Sequence, residues 1–336
     1  MARHYPSLAI GPLQLQGCAA LAPMSGVTDA VMRKIARRFG AGMVVSEMIA
    51  SDQLVHGAAE AHLRAEGSGI DPHFVQLAGC QPHWMAEAAR LSEASGAAVI
   101  DINMGCPAKK VIGGEAGSAL MRDLDLAIRL IDAVVSAVSI PVTVKMRLGW
   151  DDQTRNAPEL ARRAQQAGVA AVTVHGRTRN QFYKGKADWS AVRQVVEAVT
   201  IPVIVNGDCQ SLEDARTMLD LSGARGVMIG RAAVGRPWLV GQIARGLASA
   251  TSPAAPPLAV RQAAALEHYD GLLSLYGYKM GIRHARKHLA AYADHHAVSS
   301  HFTAEHRLRL LTSLEADEVR DLLASLFEET AEREAA

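Results

Sequence analysis

The sequence has few aromatic residues, few cysteines and almost no excess of charge. Only 4% of the residues are aromatic, so aliphatic side chains must fill the core implied by 49% apolar content. A net charge of +1 excludes a chain-wide basic surface, so a nucleic-acid partner would have to bind a local patch. The four cysteines lie far apart without C-x-x-C spacing, and we expect free thiols and no bound metal.

Long apolar runs and an N-terminal signal pattern are also missing. We therefore expect a cytoplasmic protein that does not associate with membranes. Nothing in the pattern implies a protein partner, and we expect a monomer. A length of 336 residues suits one large domain and one smaller domain.

Short apolar runs recur along most of the chain, and each leads through polar or glycine-rich residues into a helical stretch. Helical stretches such as Leu124–Val138 and Pro158–Ala167 separate the runs. This alternation predicts a parallel sheet, and eight units in about 240 residues favour a closed (β/α)₈ TIM barrel. An open doubly wound sheet is less favoured, because no G-x-G-x-x-G follows the first run. The predicted strands are Cys18–Ala22, Met43–Glu47, His73–Ala78, Ala97–Ile100, Pro141–Arg147, Ala171–His175, Pro202–Asn206 and Gly226–Ile229.

The composition changes towards the C-terminus. Residues 250–257 are rich in proline and serine and predict a linker. Residues 1–249 would then form the barrel and residues 258–336 a small all-helical domain. The helices predicted for this domain are Val260–Tyr276, Lys279–His295, Ala304–Leu311 and Ala316–Glu329.

The stretch Asp101–Lys110 follows the fourth predicted strand and carries one thiol, Cys106. Gly105 permits a tight turn, and Pro107 restricts the backbone directly after the thiol. A rigidly held thiol in a basic, glycine-rich loop indicates chemistry near an anion. The alternative is a structural cysteine in a turn.

Polar residues fall at the ends of other predicted strands, where barrels of this class bind ligands. Lys145 and His175 interrupt apolar runs, and an unpartnered lysine inside a barrel would be costly. With Gln76 and Arg147 on the same face, they indicate a shared polar ligand.

Two glycine turns follow the last two predicted strands. Asn206–Asp208 and Gly230–Arg231 would leave backbone N–H groups exposed, an arrangement typical of a phosphate site in this fold. Ordinary tight turns are the alternative. The pattern fits a cofactor, such as a flavin, whose phosphate tail lies at these two turns and whose planar ring lies over Pro23, Met24, Gln76 and Lys145.

Five segments together resemble the tRNA-dihydrouridine synthases, over about residues 8 to 325. The residues Asn103–Lys110 and Gly235–Trp238 are most similar to the bacterial B type of that family. The five segments are Ala22–Asp29, Asp101–Lys110, Val174–Thr178, Val205–Asp208 and Met228–Ala232.

The resemblance implies a flavin mononucleotide (FMN) barrel followed by a tRNA-binding helical domain. It implies reduction of the C5=C6 bond of specific tRNA uridines in the D-loop, with hydride from FMN that NADPH or NADH has reduced and a proton from Cys106. The family's FMN contacts map onto Pro23, Met24, Ser25, Gln76, Lys145, His175, Asn206, Gly207, Asp208, Gly230 and Arg231.

Substrate contacts are expected in two places. Candidates for holding the uracil carbonyls are Asn103, Lys145, His175 and Arg177. Arg283, Arg286 and Lys287 lie about one helical turn apart and could contact the RNA backbone, although a solvated helix face is the usual reason for such a charge run.

Three other functions remain open at this stage. An FMN barrel acting on a free pyrimidine is the nearest alternative, although the basic helix would then have no purpose. An RNA-binding protein without activity would not need the thiol. An aldolase could use Lys145 as a Schiff base, but it would leave Cys106 without a role.

Overall fold

The computed structural model describes residues 5, 7–249, 252–296 and 302–328. The chain divides into two compact units, one of Met1–Arg231 with Val240–Pro253 and one of Ala232–Leu239 with Ala254–Ala336. The predicted linker lies partly outside the described residues, as does the predicted end of the last helix at Glu329. The domain limits at 249 and 258 stay a prediction.

The first unit is built on a curled sheet of nine parallel strands in the order β4-β3-β11-β10-β9-β8-β7-β6-β5. A separate antiparallel hairpin, β1–β2, precedes it and was not predicted. The strands are β1 (Ala9–Ile10), β2 (Leu13–Gln14), β3 (Ala19–Leu21), β4 (Met43–Val44), β5 (Ile49–Ala50), β6 (Phe74–Ala78), β7 (Val99–Met104), β8 (Val142–Arg147), β9 (Ala171–His175), β10 (Val203–Asn206) and β11 (Gly226–Ile229).

The sheet closes through its second position, where β4 and β5 form one interrupted strand. β4 pairs with β3 and β5 pairs with β6. Between them, Val45 bridges Phe74 in parallel, and the Ser46 N–H donates to the Phe74 carbonyl at 3.0 Å. The eight predicted strand positions therefore form a closed barrel, and the predicted fold class is confirmed.

Helices follow the strands as the sequence pattern predicts. Side-chain caps fix several of their starts, such as Asp29, which accepts from the Met32 N–H, and Ser211, which accepts from the Asp214 N–H. The helices of this part are α1 (Ala30–Arg38), α2 (Ser51–Val55), α3 (Ala59–Ala65), α4 (Pro82–Ala94), α5 (Lys109–Ile112), α6 (Leu124–Val135), α7 (Ala157–Gln166), α8 (Arg193–Ala198), α9 (Leu212–Ser222) and α10 (Leu239–Ala248). Short 3₁₀ helices span Gly117–Arg122, Ser190–Val192 and Arg231–Ala233.

Two predicted boundaries in the barrel are wrong by several residues. The fourth strand runs from Val99 to Met104, so Asp101 and Asn103 lie within it rather than after it. The helix predicted to reach Val138 ends at Val135. Since side chains two apart on a strand share a face, Asp101 and Asn103 point to the same side of the sheet.

The second unit is helical, as predicted. Its helices are α11 (Leu258–Tyr276), α12 (Tyr278–His296), α13 (Ala304–Thr312) and α14 (Ala316–Ser325). Tyr269, Tyr292 and Leu289 are among its buried side chains. No helix within the described ranges has both the length and the apolar content of a bilayer span.

Candidate active site

A connected group of buried polar side chains lies across β6, β7 and β8. Asp101 accepts hydrogen bonds from Gln76 Nε2 and from Thr143 Oγ1, both at 2.6 Å. Asn103 Nδ2 donates to Gln76 Oε1 at 2.7 Å. Strand register explains the grouping. Asp101 on β7 lies opposite Gln76 on β6 and opposite Thr143 on β8.

The loop that carries Cys106 is held from two sides. Asn103 Oδ1 accepts from the backbone N–H groups of Gly105 at 3.2 Å and Cys106 at 3.0 Å. The Cys106 carbonyl accepts from the Ser118 N–H at 3.0 Å and from its hydroxyl at 2.8 Å. The thiol residue is half-buried, so the loop keeps it accessible in a fixed position.

Lys145 is the cation at the centre of the site. It lies opposite Asn103 in the β7–β8 register. Burial lowers its pKa to about 8, and the charge of Arg147 adds to this, whereas Asp101 and Cys106 act in the opposite direction. Within the described part of the chain its ammonium group donates no hydrogen bond, which leaves it available to a ligand.

His175 lies at the end of β9 among cations. Burial lowers its pKa well below the usual range, and Lys145, Arg147 and Arg177 lower it further. The ring is therefore neutral at physiological pH. Arg147, its neighbour in the β8–β9 register, donates to the Gly105 carbonyl at 2.7 Å and so also supports the thiol loop.

Arg177 is buried and donates chiefly to the protein. Its guanidinium makes a bidentate pair with Asp208 at 3.0 and 2.6 Å, and further bonds reach the Lys184 and Gly185 carbonyls. Burial raises the pKa of Asp208, but the bonds from Arg177 and the Ala187 N–H outweigh it and lower the pKa below its usual value. The geometry thus gives Arg177 a positioning part, and its direct contact with substrate stays a prediction.

The turn after β10 requires glycine. Gly207 has φ +120°, and a Cβ there would lie 2.8 Å from the Ala187 Cβ and 2.9 Å from the His175 Cδ2. Asn206 Nδ2 donates to the Met228 carbonyl at 2.8 Å and so ties the ends of β10 and β11 together. Within the described ranges, the N–H groups of Gly207, Asp208 and Gly230 make no hydrogen bond, so they can serve an anion.

Arg231 extends this anion-binding region into solvent. Its side chain is 64% exposed and contacts Asp208 Oδ1 at 3.2 Å. The neighbouring end of β3 supplies Met24, whose sulfur lies 3.6 Å from where a Gly230 Cβ would be. Pro23 is half-buried and Ser25 is exposed, so this segment borders the same mouth of the barrel.

Sequence reasoning missed two residues of the site. Asp101 has the strand periodicity of Asn103, which could have revealed it. Tyr183 is 53% exposed, and the guanidinium carbons of Arg231 and Arg147 lie 5.1 and 5.5 Å from its ring centre. An exposed aromatic ring between cations at a strand end is typical of a stacking surface, but no periodic pattern marks it in the sequence.

The predicted RNA-contacting residues lie on α12 of the helical unit. Arg283 and Lys287 are exposed and one turn apart, so they share a face. Arg286 is partly buried and donates to the Thr312 carbonyl at 3.4 Å. The structure therefore brings two of the three cations together on an exposed surface.

Comparison with known proteins decides the family. A family model described as dihydrouridine synthase matches residues 20–327. The chain belongs to the dihydrouridine synthase family. It is 54% identical to a probable tRNA-dihydrouridine synthase of Rhizobium leguminosarum bv. phaseoli, over 85% of this chain and 88% of that protein. It is 48% identical to tRNA-dihydrouridine synthase B of Xanthomonas axonopodis pv. citri, over 88% of this chain and 90% of that protein. It is an enzyme that reduces uridine in tRNA.

Solved structures share the barrel fold at low sequence identity. The old yellow enzyme homologue from Zymomonas mobilis matches with a TM-score of 0.53 and 14% identity, over 69% of this chain and 90% of that one. Histamine dehydrogenase from Rhizobium sp. 4-9 matches with a TM-score of 0.54 and 14% identity, over 73% of this chain and 48% of that one. At this identity the similarity supports the fold class alone.

Proposed function

We propose that the barrel mouth holds FMN, that NADPH or NADH reduces it, and that the Cys106 thiol protonates C5 of a tRNA uridine in the D-loop. The observation that carries the proposal is the position of Cys106, half-buried in a loop held by Asn103 and Arg147 beside Lys145. A general acid must be fixed near the atom that it protonates.

The ends of β10 and β11 fit a phosphate group. Backbone N–H groups of Gly207, Asp208 and Gly230 lack protein acceptors within the described chain, and Arg231 is exposed beside them. Because Asp208 already pairs with Arg177, its carboxylate would orient this region, whereas the N–H groups and Arg231 would hold the phosphate.

The centre of the barrel fits the electron-poor ring of the same cofactor. Lys145 supplies a cation without a hydrogen-bond acceptor in the described protein, and Gln76 and Asn103 each retain one amide N–H. A flavin ring presents acceptor atoms on its pyrimidine edge, and a cation there stabilises the anionic reduced form. Pro23, Met24, Ser25 and His175 would complete the pocket.

Reduced FMN, when bound, supplies the hydride that adds to C6 of uracil. The protein has to hold the uracil carbonyls and deliver a proton to C5. Cys106 delivers the proton from its sulfur, and the positive charge of Lys145 stabilises the electron density that reaches O4. The neutral ring of His175 adds a hydrogen bond without adding another cation to the crowded site.

Tyr183 is the side chain of this site that could stack on an RNA base. A base inside folded tRNA must leave its stack before its C5=C6 bond is accessible. An exposed aromatic ring can replace the lost stacking, which is worth about 1–3 kcal/mol per base. We assign Tyr183 this role because its ring is exposed beside Arg231, Arg147 and His175.

In the free-pyrimidine alternative, a free base rather than tRNA oxidises the reduced cofactor. Two observations favour tRNA: the relatives are named for tRNA, and a single base would not reach an exposed pair of cations such as that on α12. Arg283, Arg286 and Lys287 are therefore proposed to contact tRNA phosphates, and a monomer is sufficient for the reaction.

Two separate half-reactions test the proposal. Under anaerobic conditions, NADPH should bleach the bound FMN, and unmodified tRNA should restore its colour, whereas free uridine should not. Cys106→Ala should keep the first step and lose most of the second. Cys80→Ala, another half-buried thiol near a strand end, is the matched control and should retain both. Equal reoxidation of wild type by free uridine would favour the alternative.

A further inference from the structure

The buried side chains of Asp101, Gln76 and Asn103 form a continuous chain of hydrogen bonds that ends beside the thiol. Asp101 Oδ2 accepts from Gln76 Nε2 at 2.6 Å, and Gln76 Oε1 accepts from Asn103 Nδ2 at 2.7 Å. Asn103 Oδ1 accepts from the Cys106 N–H at 3.0 Å and from the Gly105 N–H at 3.2 Å. All three side chains are buried, so water does not replace these bonds.

The direction of every bond follows from the end nearest the thiol. A backbone N–H can only donate, so Asn103 must turn its oxygen towards the loop. Its amide nitrogen then faces Gln76, which must present an oxygen in return. The nitrogen of Gln76 is left facing Asp101, where only an unprotonated oxygen can accept. No flipped arrangement of the two amides satisfies all the donors.

Both oxygens of Asp101 have a hydrogen-bond partner. Its second oxygen accepts from the Thr143 hydroxyl at 2.6 Å. Burial raises the pKa of Asp101 above its usual value, and the bonds from Gln76 and Thr143 and the charge of Lys145 offset only part of that rise. A buried carboxylate with a donor on each oxygen and a cation nearby is a satisfied group.

We propose that Asp101 is a positioning residue, whose carboxylate fixes the orientation of the Gln76 and Asn103 amides and thereby holds the loop of Cys106. A second consequence concerns the ligand. Each amide uses its oxygen within the chain of bonds and keeps one N–H, so these two side chains can offer a ligand donors only. The site therefore accepts a ring edge rich in acceptors.

Two variants test whether Asp101 acts through the direction of its hydrogen bonds or only through the space that its side chain fills. In Asp101→Asn, the new amide either donates to the Thr143 hydroxyl, which leaves that hydroxyl proton without its acceptor, or donates to Gln76. The second arrangement requires both following amides to flip, and the Gly105 and Cys106 N–H groups then lose their acceptor. In Asp101→Asn with Gln76→Glu, the glutamate accepts from Asn at 101 and from Asn103. This double variant reverses only the bond between positions 76 and 101, leaves the Asn103 amide in its wild-type orientation and keeps the net charge beside Lys145.

Hydrogen exchange of the FMN-loaded protein measures the state of the loop directly. For the peptide containing Gly105 and Cys106, Asp101→Asn should raise the exchange rate about tenfold, and the double variant should return it to within about twofold of wild type. Thr143→Val, which removes a bond to Asp101 without reversing any amide, is the matched control and should leave this peptide near wild type. Dihydrouridine formation should fall in Asp101→Asn and stay near wild type in Thr143→Val, whereas the double variant tests the loop alone, because Gln76→Glu removes an N–H proposed to face the cofactor.

Each outcome bears on the proposal. Wild-type exchange in folded Asp101→Asn, or a double variant that exchanges as fast as the single variant, would overturn it. If Asp101→Asn does not fold and the double variant does, the rescue supports it. If neither folds, polarity is not what Asp101 contributes. The inference depends on the proposed function only for its catalytic consequence, since the exchange result stands even if Cys106 has no part in tRNA reduction.

Discussion

Lys145 lowers the folding stability of the protein as long as no ligand is bound. Its pKa is lowered to about 8, chiefly by burial, so folding without a bound anion is penalised whenever the side chain is charged. The same unsatisfied charge provides binding energy for an anionic or acceptor-rich ligand. A residue that destabilises the free protein in this way belongs to the function rather than to the fold.

Replacing this lysine should change the free energy of unfolding by an amount that depends on pH. Because the pKa is lower in the folded than in the unfolded protein, the cost is fully present below pH 8 and is relieved as the pH rises towards the unfolded value of 10.5. Lys145→Met should therefore stabilise the cofactor-free protein by about 2 kcal/mol at pH 7, and the gain should shrink above pH 8. Thermal unfolding of both proteins across this range measures it.

With FMN bound, wild type should be more stable than Lys145→Met, the reverse of the order without FMN. Saturating FMN should stabilise wild type at pH 7 by much more than Lys145→Met, because only wild type presents the cation. Equal stabilisation of both proteins by FMN would contradict the assignment of Lys145 to the cofactor.

Tyr183 gives a second prediction at this scale. Tyr183→Ala should raise KM for tRNA about tenfold through lost stacking, whereas Tyr183→Phe should stay near wild type because the ring remains. Steady-state kinetics with tRNA measure both. NADPH oxidation of the FMN-loaded variants should not change, and a matching loss in Tyr183→Phe would assign the effect to the hydroxyl instead.

The sequence predicts these residues unevenly. Lys145 and His175 are visible because a charged or imidazole side chain interrupts an apolar strand. Asp101 was missed as a participant because its partners Gln76 and Thr143 lie 25 and 42 residues away, and only the register of three strands brings them together. Arg177 was expected to face the substrate, but the carboxylate that pairs with it, Asp208, comes from the next strand end.

At the scale of elements, the turn after β10 is the part of the site with the tightest geometric requirements. A Cβ at Gly207 would meet Ala187 and the His175 ring, and the backbone is in a region that favours glycine. The turn is thus shaped by packing against the loop that follows β9. The Gly207 and Asp208 N–H groups, which have no acceptor in the described chain, are a result of that shape.

Gly207→Ala should therefore weaken FMN binding at least about tenfold and lower Tm by several degrees, since relieving the clash displaces His175 and the turn. Equilibrium dialysis with FMN and thermal unfolding measure these effects. Gly57→Ala is the control, because Gly57 has φ +75° with no atom within 4 Å of the new Cβ, so that it carries backbone strain without a clash. A similar loss of FMN in both variants would contradict a specific role for the turn.

Element boundaries show the limits of sequence patterns. Alternation of apolar runs and helices was enough to predict the barrel, because each strand is buried on both faces. It placed the end of β7 too early, since Asp101 and Asn103 are polar but paired inside the barrel. The interrupted second strand and the hairpin β1–β2 depend on pairings with distant residues, which no local pattern contains.

At the scale of the whole molecule, the near-neutral chain has to bind an anionic polymer through local charge. Arg283 and Lys287 on α12 offer such a patch. The double variant Arg283→Glu with Lys287→Glu should raise KM for tRNA by about tenfold or more and reduce the salt dependence of binding by about two phosphate contacts. Filter binding across a salt series measures this, with reduction of the bound FMN by NADPH unchanged.

The matched control is Arg320→Glu, since Arg320 is an exposed cation of the same helical unit that lies on α14 rather than on α12 and pairs with Asp270. It should leave tRNA binding within about twofold of wild type, because breaking an exposed ion pair costs little. Equal losses in both proteins would mean that total charge, rather than this patch, controls tRNA binding.

The measurement that tests the account most directly is position-resolved mass spectrometry of dihydrouridine in tRNA from cells that lack this protein. Dihydrouridine should be missing at defined D-loop positions, and the wild-type gene or Cys80→Ala should restore it there, whereas Cys106→Ala should not. Full restoration by Cys106→Ala would contradict the role of the thiol. Unchanged dihydrouridine at every position, in cells without a second enzyme of this family, would contradict the reduction of tRNA itself.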